Sequence, residues 1–124
     1  MILCDTNILI EIYKGNEGII NVVKSVGQHN LSLSDVTCAE LLYGARNKRE
    51  LQAIRKDLSQ LTILPIEASI SNMAVGLIEK FALSHKLSLP DALIASTTIF
   101  YNIELYTLNL KDFDFLDGLL LFSN

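Results

Sequence analysis

The stretch Met1-Ile2-Leu3-Cys4-Asp5-Thr6-Asn7-Ile8-Leu9-Ile10-Glu11-Ile12 decides the fold. Its apolar opening, Met1 to Cys4, is too short for a helix and reads as a buried strand, ended at Asp5 with no Gly or Pro to stop it. Asn7 offers an N-cap for a helix carrying Ile8, Leu9, Ile12 and Tyr13, which puts Asp5 in a strand-to-helix turn. Ligands of open α/β sheets bind in the crevice beyond the carboxyl ends of the strands, so Asp5 marks a candidate site. The plain alternative is an acid that ends a strand and favours a helix N-terminus electrostatically.

Outward from that stretch, short strands alternate with helices. Further strands are expected at Asn30 to Leu33, Leu61 to Ile66, Glu104 to Thr107 and, as an edge strand, Leu119 to Phe122. Helices are expected at Ile19 to Val26, closed by Gly27, then after the N-caps Ser34 and Asp35, and over Asn47 to Leu61, Ala68 to Lys86 and Pro90 to Tyr101. This alternation implies a three-layer α/β/α sandwich, with a mostly parallel sheet of four to five strands, forming one domain over residues 1–124.

A chain of 124 residues buries a real core without disulfide or metal staples. Half of its residues are hydrophobic and its mean hydropathy is +0.35, which leaves apolar surface for a partner or a second copy. No apolar run approaches the roughly 20 residues of a membrane span. Asp5 and Glu11 interrupt the apolar start and no basic segment precedes it, so a signal peptide is not expected and the cytoplasm is. Cys4 and Cys38 form no CxxC pair, and with only His29 and His85 beside them they make a poor zinc set. A net charge of −4 argues against a broad nucleic-acid surface, but leaves room for acids gathered in one site and bases in another.

The acids fall where chemistry would need them. Asp5 follows the first strand, Glu40 lies in the helix after the second, Asp91 opens the helix before the fourth, and Asp112 follows the fourth. In a parallel sheet the strands' carboxyl ends share one edge, where Asp5, Glu40 and the segment Asn109 to Asp112 converge. Asp91 joins them if its helix begins at that edge. Such carboxylates repel or raise one another's pKa values, and a divalent cation removes the conflict. Oxygen ligands without Cys or His point to Mg²⁺ or Mn²⁺. Each acid also has a structural explanation: Thr37 and Glu40 fit a capping box, and Asp91 suits a first helical turn.

Asp5-Thr6-Asn7, Glu40-Leu41 with Tyr43-Gly44-Ala45-Arg46, Leu89-Pro90-Asp91-Ala92-Leu93-Ile94-Ala95 and Thr107-Leu108-Asn109-Leu110-Lys111-Asp112-Phe113 resemble the four signature blocks of PIN-domain ribonucleases, in particular the VapC toxins of toxin–antitoxin pairs. The resemblance runs from residue 1 to about 122, and its third block is the most specific. It implies metal-site acids at Asp5, Glu40 and Asp91. The fourth family acid usually stands where this chain has Asn109, so Asp112 is expected as the fourth acid and Asn109 as a neutral ligand to metal-bound water. Whether one or two cations act stays open. Thr6 and Thr107 are expected to hydrogen-bond the carboxylates. The implied reaction is cation-assisted hydrolysis of an RNA phosphodiester, with Asp5 and Asp91 holding the cation, Glu40 positioning or deprotonating the attacking water, and Asp112 serving the leaving 3′ oxygen. The products implied carry a 5′ phosphate and a 3′ hydroxyl.

Arg46, Lys48, Arg49, Arg55 and Lys56 hold half of the ten basic residues within eleven positions. They read equally as phosphate contacts or as a solvated helix face, with Arg46 at the mouth of the cleft. The family likeness further implies a homodimer and a groove filled by a segment of an antitoxin. Leu9, Ile12, Tyr13 and Ile20 would line that groove or would be core. A non-catalytic PIN-like module that binds RNA or protein is the alternative. A phosphatase of the haloacid dehalogenase type wants an acid where Asn7 stands.

Overall fold

A computed structural model describes residues 1–123; Asn124, the last residue of the expected domain, lies outside the described residues. Five strands, β1 (Ile2–Cys4), β2 (Leu31–Ser34), β3 (Thr62–Leu64), β4 (Glu104–Tyr106) and β5 (Leu120–Leu121), form one sheet in the order β3-β2-β1-β4-β5. Every pairing is parallel. The sheet is therefore wholly parallel where a mostly parallel one was expected. The order reverses at β1, whose neighbours β2 and β4 run out to opposite edges, so the strand ending at Asp5 is the topological switch point.

Helices cover both faces. α1 (Thr6–Tyr13), α2 (Glu17–Val26), α3 (Asp35–Tyr43) and α4 (Lys48–Leu58) pack on one side, and α5 (Ala68–His85) and α6 (Leu89–Tyr101) on the other. The strands obey the two-residue period: Ile2, Cys4, Leu31, Leu33 and Tyr106 face the first layer, while Leu3 and Leu105 face the second. A sheet buried on both faces explains why β1 is apolar throughout. Where β2 places Ser32 and Ser34 instead, both are fully buried, and the Ser32 hydroxyl donates to the Ile2 carbonyl at 3.0 Å.

Two boundaries fix the site. Asp5 itself caps α1, its carboxylate accepting the Thr6 N–H, so the helix starts one residue before the expected cap Asn7. At the other end of the sheet, α6 closes on Asn102 in the left-handed region (φ 53°) and β4 begins at Glu104. A link this short forces α6 to run antiparallel to β4, so α6 begins at the edge where the parallel strands end. Asp91, in its first turn, is carried to the same edge as Asp5. Among the described residues no helix is long and apolar enough to cross a membrane.

Candidate active site

Asp5 is 6 % exposed, and a buried carboxylate needs partners for both oxygens. One oxygen accepts the Thr6 N–H at 2.8 Å. The other accepts the Thr107 hydroxyl at 2.8 Å and the Asn7 amide at 3.3 Å. Sheet register makes this possible: Cys4 pairs with Tyr106, so Asp5 and Thr107 leave their strands side by side. The Asp5 N–H still donates to the Tyr106 carbonyl at 2.9 Å. Asn7 is no cap but a tie across the switch point: its amide oxygen accepts the Leu108 N–H at 3.2 Å. Asn109 contributes its own N–H to the Thr107 hydroxyl at 3.1 Å, and its side chain makes no hydrogen bond among the described residues.

Thr6 joins two acids. Its N–H serves Asp5, and its hydroxyl donates to Glu40 Oε1 at 2.6 Å. The same hydroxyl lies 3.0 Å from that of Thr37, which is fully buried. One proton cannot serve both contacts, so with Thr6 donating to Glu40 the Thr37 hydroxyl acts as donor to Thr6. Thr37 therefore supports the site from beneath, a role that reading Thr37 and Glu40 as a capping box concealed. Ser34 caps α3 instead, accepting the Val36 N–H at 3.1 Å. Glu40 itself is exposed.

The four acids act on one another. Burial raises the pKa of Asp5, the hydrogen bonds from Thr107 and Thr6 oppose that rise, and the charges of Glu40 and Asp112 add to it. Asp91 is pushed up to about 6, first by burial and then by the charges of Asp5, Asp112 and Glu40, against a hydrogen bond from Ser88, the N-cap of α6. The structure thus brings Asp5, Glu40, Asp91 and Asp112 into one electrostatic neighbourhood. Asp112 sits in an exposed 3₁₀ turn, Leu110–Asp112, secured by the neighbouring Phe113, which is 1 % exposed in the core.

Among the described residues no lysine, arginine or histidine forms an ion pair with any of these four acids; the two ion pairs are Lys14–Glu11 and Arg46–Glu50. Nor do three acidic, histidine or cysteine side chains close around a point to make a finished metal cage. The donor set fits Mg²⁺ or Mn²⁺ nonetheless. Its oxygens are hard ligands, its charge repulsion is relieved by a cation, and Mg²⁺ keeps several waters and needs only one or two carboxylates. Asp5, held rigidly, and Asp91, at the same edge, are the two that would supply them.

Two cavities open on the layer formed by α1 to α4. One, about 510 Å³, lies between α1, α2 and α4 and is lined by all four residues expected at a groove, Leu9, Ile12, Tyr13 and Ile20. Leu9 and Ile12 also pack against the core, so for them both expectations hold. The second, about 610 Å³, lies between α1, α3 and α4 and reaches Glu40 and Arg46. Tyr13 borders both, and its hydroxyl donates to Asp57 at 2.8 Å, bridging α1 to α4. Arg46 is held by Glu50, which accepts its N–H at 3.1 Å and its guanidinium at 2.9 and 2.8 Å. Lys48, Arg49, Arg55 and Lys56 line neither cavity.

The fold is shared with known proteins. The chain superposes on one in a toxin–antitoxin complex from Klebsiella pneumoniae with a TM-score of 0.82 and 32 % identity, covering 97 % of this chain and 96 % of that one. It is similar to a chain of VapBC2 from Rickettsia felis, solved bound to a DNA fragment from their promoter (TM-score 0.81, 28 % identity, 98 % of each chain). A third is VapBC-1 from nontypeable Haemophilus influenzae (TM-score 0.80, 26 % identity, 99 % of this chain and 98 % of that one). No curated protein sequence matches it. The PIN-domain model matches residues 2–118, nearly the whole chain, and with the wholly parallel sheet and its switch-point aspartate this chain belongs to the PIN-domain family.

Proposed function

We propose that this chain, as one domain, is the toxin of a VapBC-type pair: a Mg²⁺- or Mn²⁺-dependent endoribonuclease that hydrolyses RNA phosphodiesters and is silenced by an antitoxin. The observation that carries this reading is the buried Asp5 at the switch point, sharing one edge with Asp91, Glu40 and Asp112 in mutual repulsion. PIN domains are generally nucleases, and the similar structures are of toxin–antitoxin complexes.

Within that reading, Asp5 and Asp91 hold the cation, and Thr107 and Asn7 keep Asp5 aimed at it. Bound Mg²⁺ or Mn²⁺ supplies Lewis acidity toward the phosphodiester and offsets the acids' charge. Glu40, fixed by Thr6, takes a proton from the attacking water, and Thr37 keeps Thr6 in place. Asp112 faces the leaving 3′ oxygen, with Asn109 as a neutral water ligand beside it. Arg46, at the rim of the cavity that reaches Glu40, meets substrate phosphate once released by Glu50. The antitoxin segment occupies the groove lined by Leu9, Ile12, Tyr13 and Ile20. Two copies pair through exposed apolar residues such as Val75, Leu83 and Phe100.

Single-stranded RNA and DNA incubated with the purified chain, with Mg²⁺ or Mn²⁺ and with chelator, test the reading beside Asp5→Asn and Asp91→Asn. RNA cut to 5′-phosphate ends only in the presence of metal, and by neither folded variant, is the expected result. RNA bound but uncut under every condition would replace the enzyme with a non-catalytic module, and cleavage of DNA alone would replace the substrate.

A further inference from the structure

The five clustered bases of the sequence do not form one group in the structure. Arg46 turns toward Glu50 at the cavity rim. The other four lie on α4, where a repeat of 3.6 residues places Lys48, Arg49, Gln52, Arg55 and Lys56 within about a third of the circumference. Glu50, Ala53, Ile54 and Asp57 occupy the other side, and these are the α4 residues that border the cavities. Leu58 enters the core. Lys48, Arg49, Arg55 and Lys56 are all exposed, and among the described residues none of them has a carboxylate partner within ion-pair distance. An acidic chain of net charge −4 thus carries a face of four unneutralised cations.

We propose that this outward face of α4 is a binding track for the phosphate backbone of single-stranded RNA, separate from the acid cluster and from the groove. The proposal rests on the nuclease reading, which supplies the polyanion. Charge complementarity selects the occupant: an apolar or basic-faced partner has no need of four cations, whereas a nucleic-acid strand releases a counterion for each phosphate neutralised. Placement gives direction. The track starts at Lys48 and Arg49, just after Arg46 at the rim of the cavity that reaches Glu40. Its second pair, Arg55 and Lys56, stands two turns on, about 10 Å along the axis. A strand leaving the acids past Arg46 meets first one pair and then the other, so the track adds affinity and residence without touching the reacting atoms.

The experiment measures binding of an unstructured fluorescent RNA to the full chain carrying Asp5→Asn, across a series of salt concentrations. Two double variants on that background, K48Q/R49Q and R55Q/K56Q, each remove two charges from exposed helical sites that accept Gln readily. K80Q/K86Q removes the same charge elsewhere on the surface. Each α4 double variant is expected to flatten the dependence of log Kd on log salt by about 1.4, at about 0.7 per phosphate for a single strand, and the control by much less. Equal flattening in all three variants, or in none, overturns the track. Turnover separates the two readings: α4 variants with intact Asp5 keep kcat at saturating RNA while KM rises. A chain that cuts no RNA, yet shows the α4-specific flattening, retains the track and loses the nuclease.

Discussion

Replacing Asp91 by Asn removes the charge that its surroundings most resist. In the metal-free protein Asp91 rises from its ordinary 3.8 to about 6, because burial and the charges of Asp5, Asp112 and Glu40 disfavour its ionised form. At 1.36 kcal/mol per pH unit the full rise is worth roughly 3 kcal/mol, and screening at a partly solvated carboxyl brings this to about 1.5 kcal/mol. The sign follows from proton binding. Between pH 3.8 and about 6 the folded state holds a proton that the unfolded state has lost, so rising pH drains stability across that window and the loss is complete above it. Asn mimics the protonated acid at every pH. The stability difference between Asp91→Asn and wild type in chelator should therefore be near zero at pH 4 and reach about 1.5 kcal/mol in favour of the variant by pH 8, roughly 5 °C in the unfolding midpoint for a chain of this size. Urea unfolding at five pH values between these limits measures it. A difference that is flat with pH, or a variant that loses stability as pH rises, refutes the electrostatic coupling of Asp91 to the other acids.

Thr107→Val removes the 2.8 Å donor from a buried carboxylate and should cost about 1.5–3 kcal/mol at pH 8 by urea unfolding, and less at pH 4, where Asp5 is nearer protonation. Thr6→Val deprives Glu40 of its hydroxyl donor and should lower RNA turnover by about tenfold or more, while thermal unfolding moves by no more than a few degrees. Phe113→Ala empties a core position that is 1 % exposed. It should cost about 3–5 kcal/mol in denaturant and loosen the turn bearing Asp112.

Much of this was legible because local chemistry and fold agree. The apolar run that stops at Asp5, the N-cap Ser34, and Gly27 with φ 90° closing α2 all stand where the sequence implies. The sequence leaves Asp91 conditional on where its helix begins; in the structure the two-residue link between Tyr101 and Glu104 sets the direction of α6. Three features were hidden by contacts that the order of residues does not show. Asn7 resembles an N-cap, but its amide spans the switch point to reach Leu108. Thr37 resembles half of a capping box, but it is buried three residues inside α3 and meets Thr6. The basic run resembles one patch, but Arg46 precedes α4 and pairs with Glu50, on the other side of that helix from the four cations.

The most direct test of the central claim, that Asp5 and Asp91 hold one divalent cation, is thermal unfolding of the wild type, Asp5→Asn and Asp91→Asn across a Mn²⁺ series. A cation bound only by the folded state at 100 times its Kd stabilises by about 2.7 kcal/mol. The wild-type midpoint should therefore climb with Mn²⁺ while both variants stay nearly still. A wild type that ignores Mn²⁺, or variants that climb alongside it, would contradict the claim.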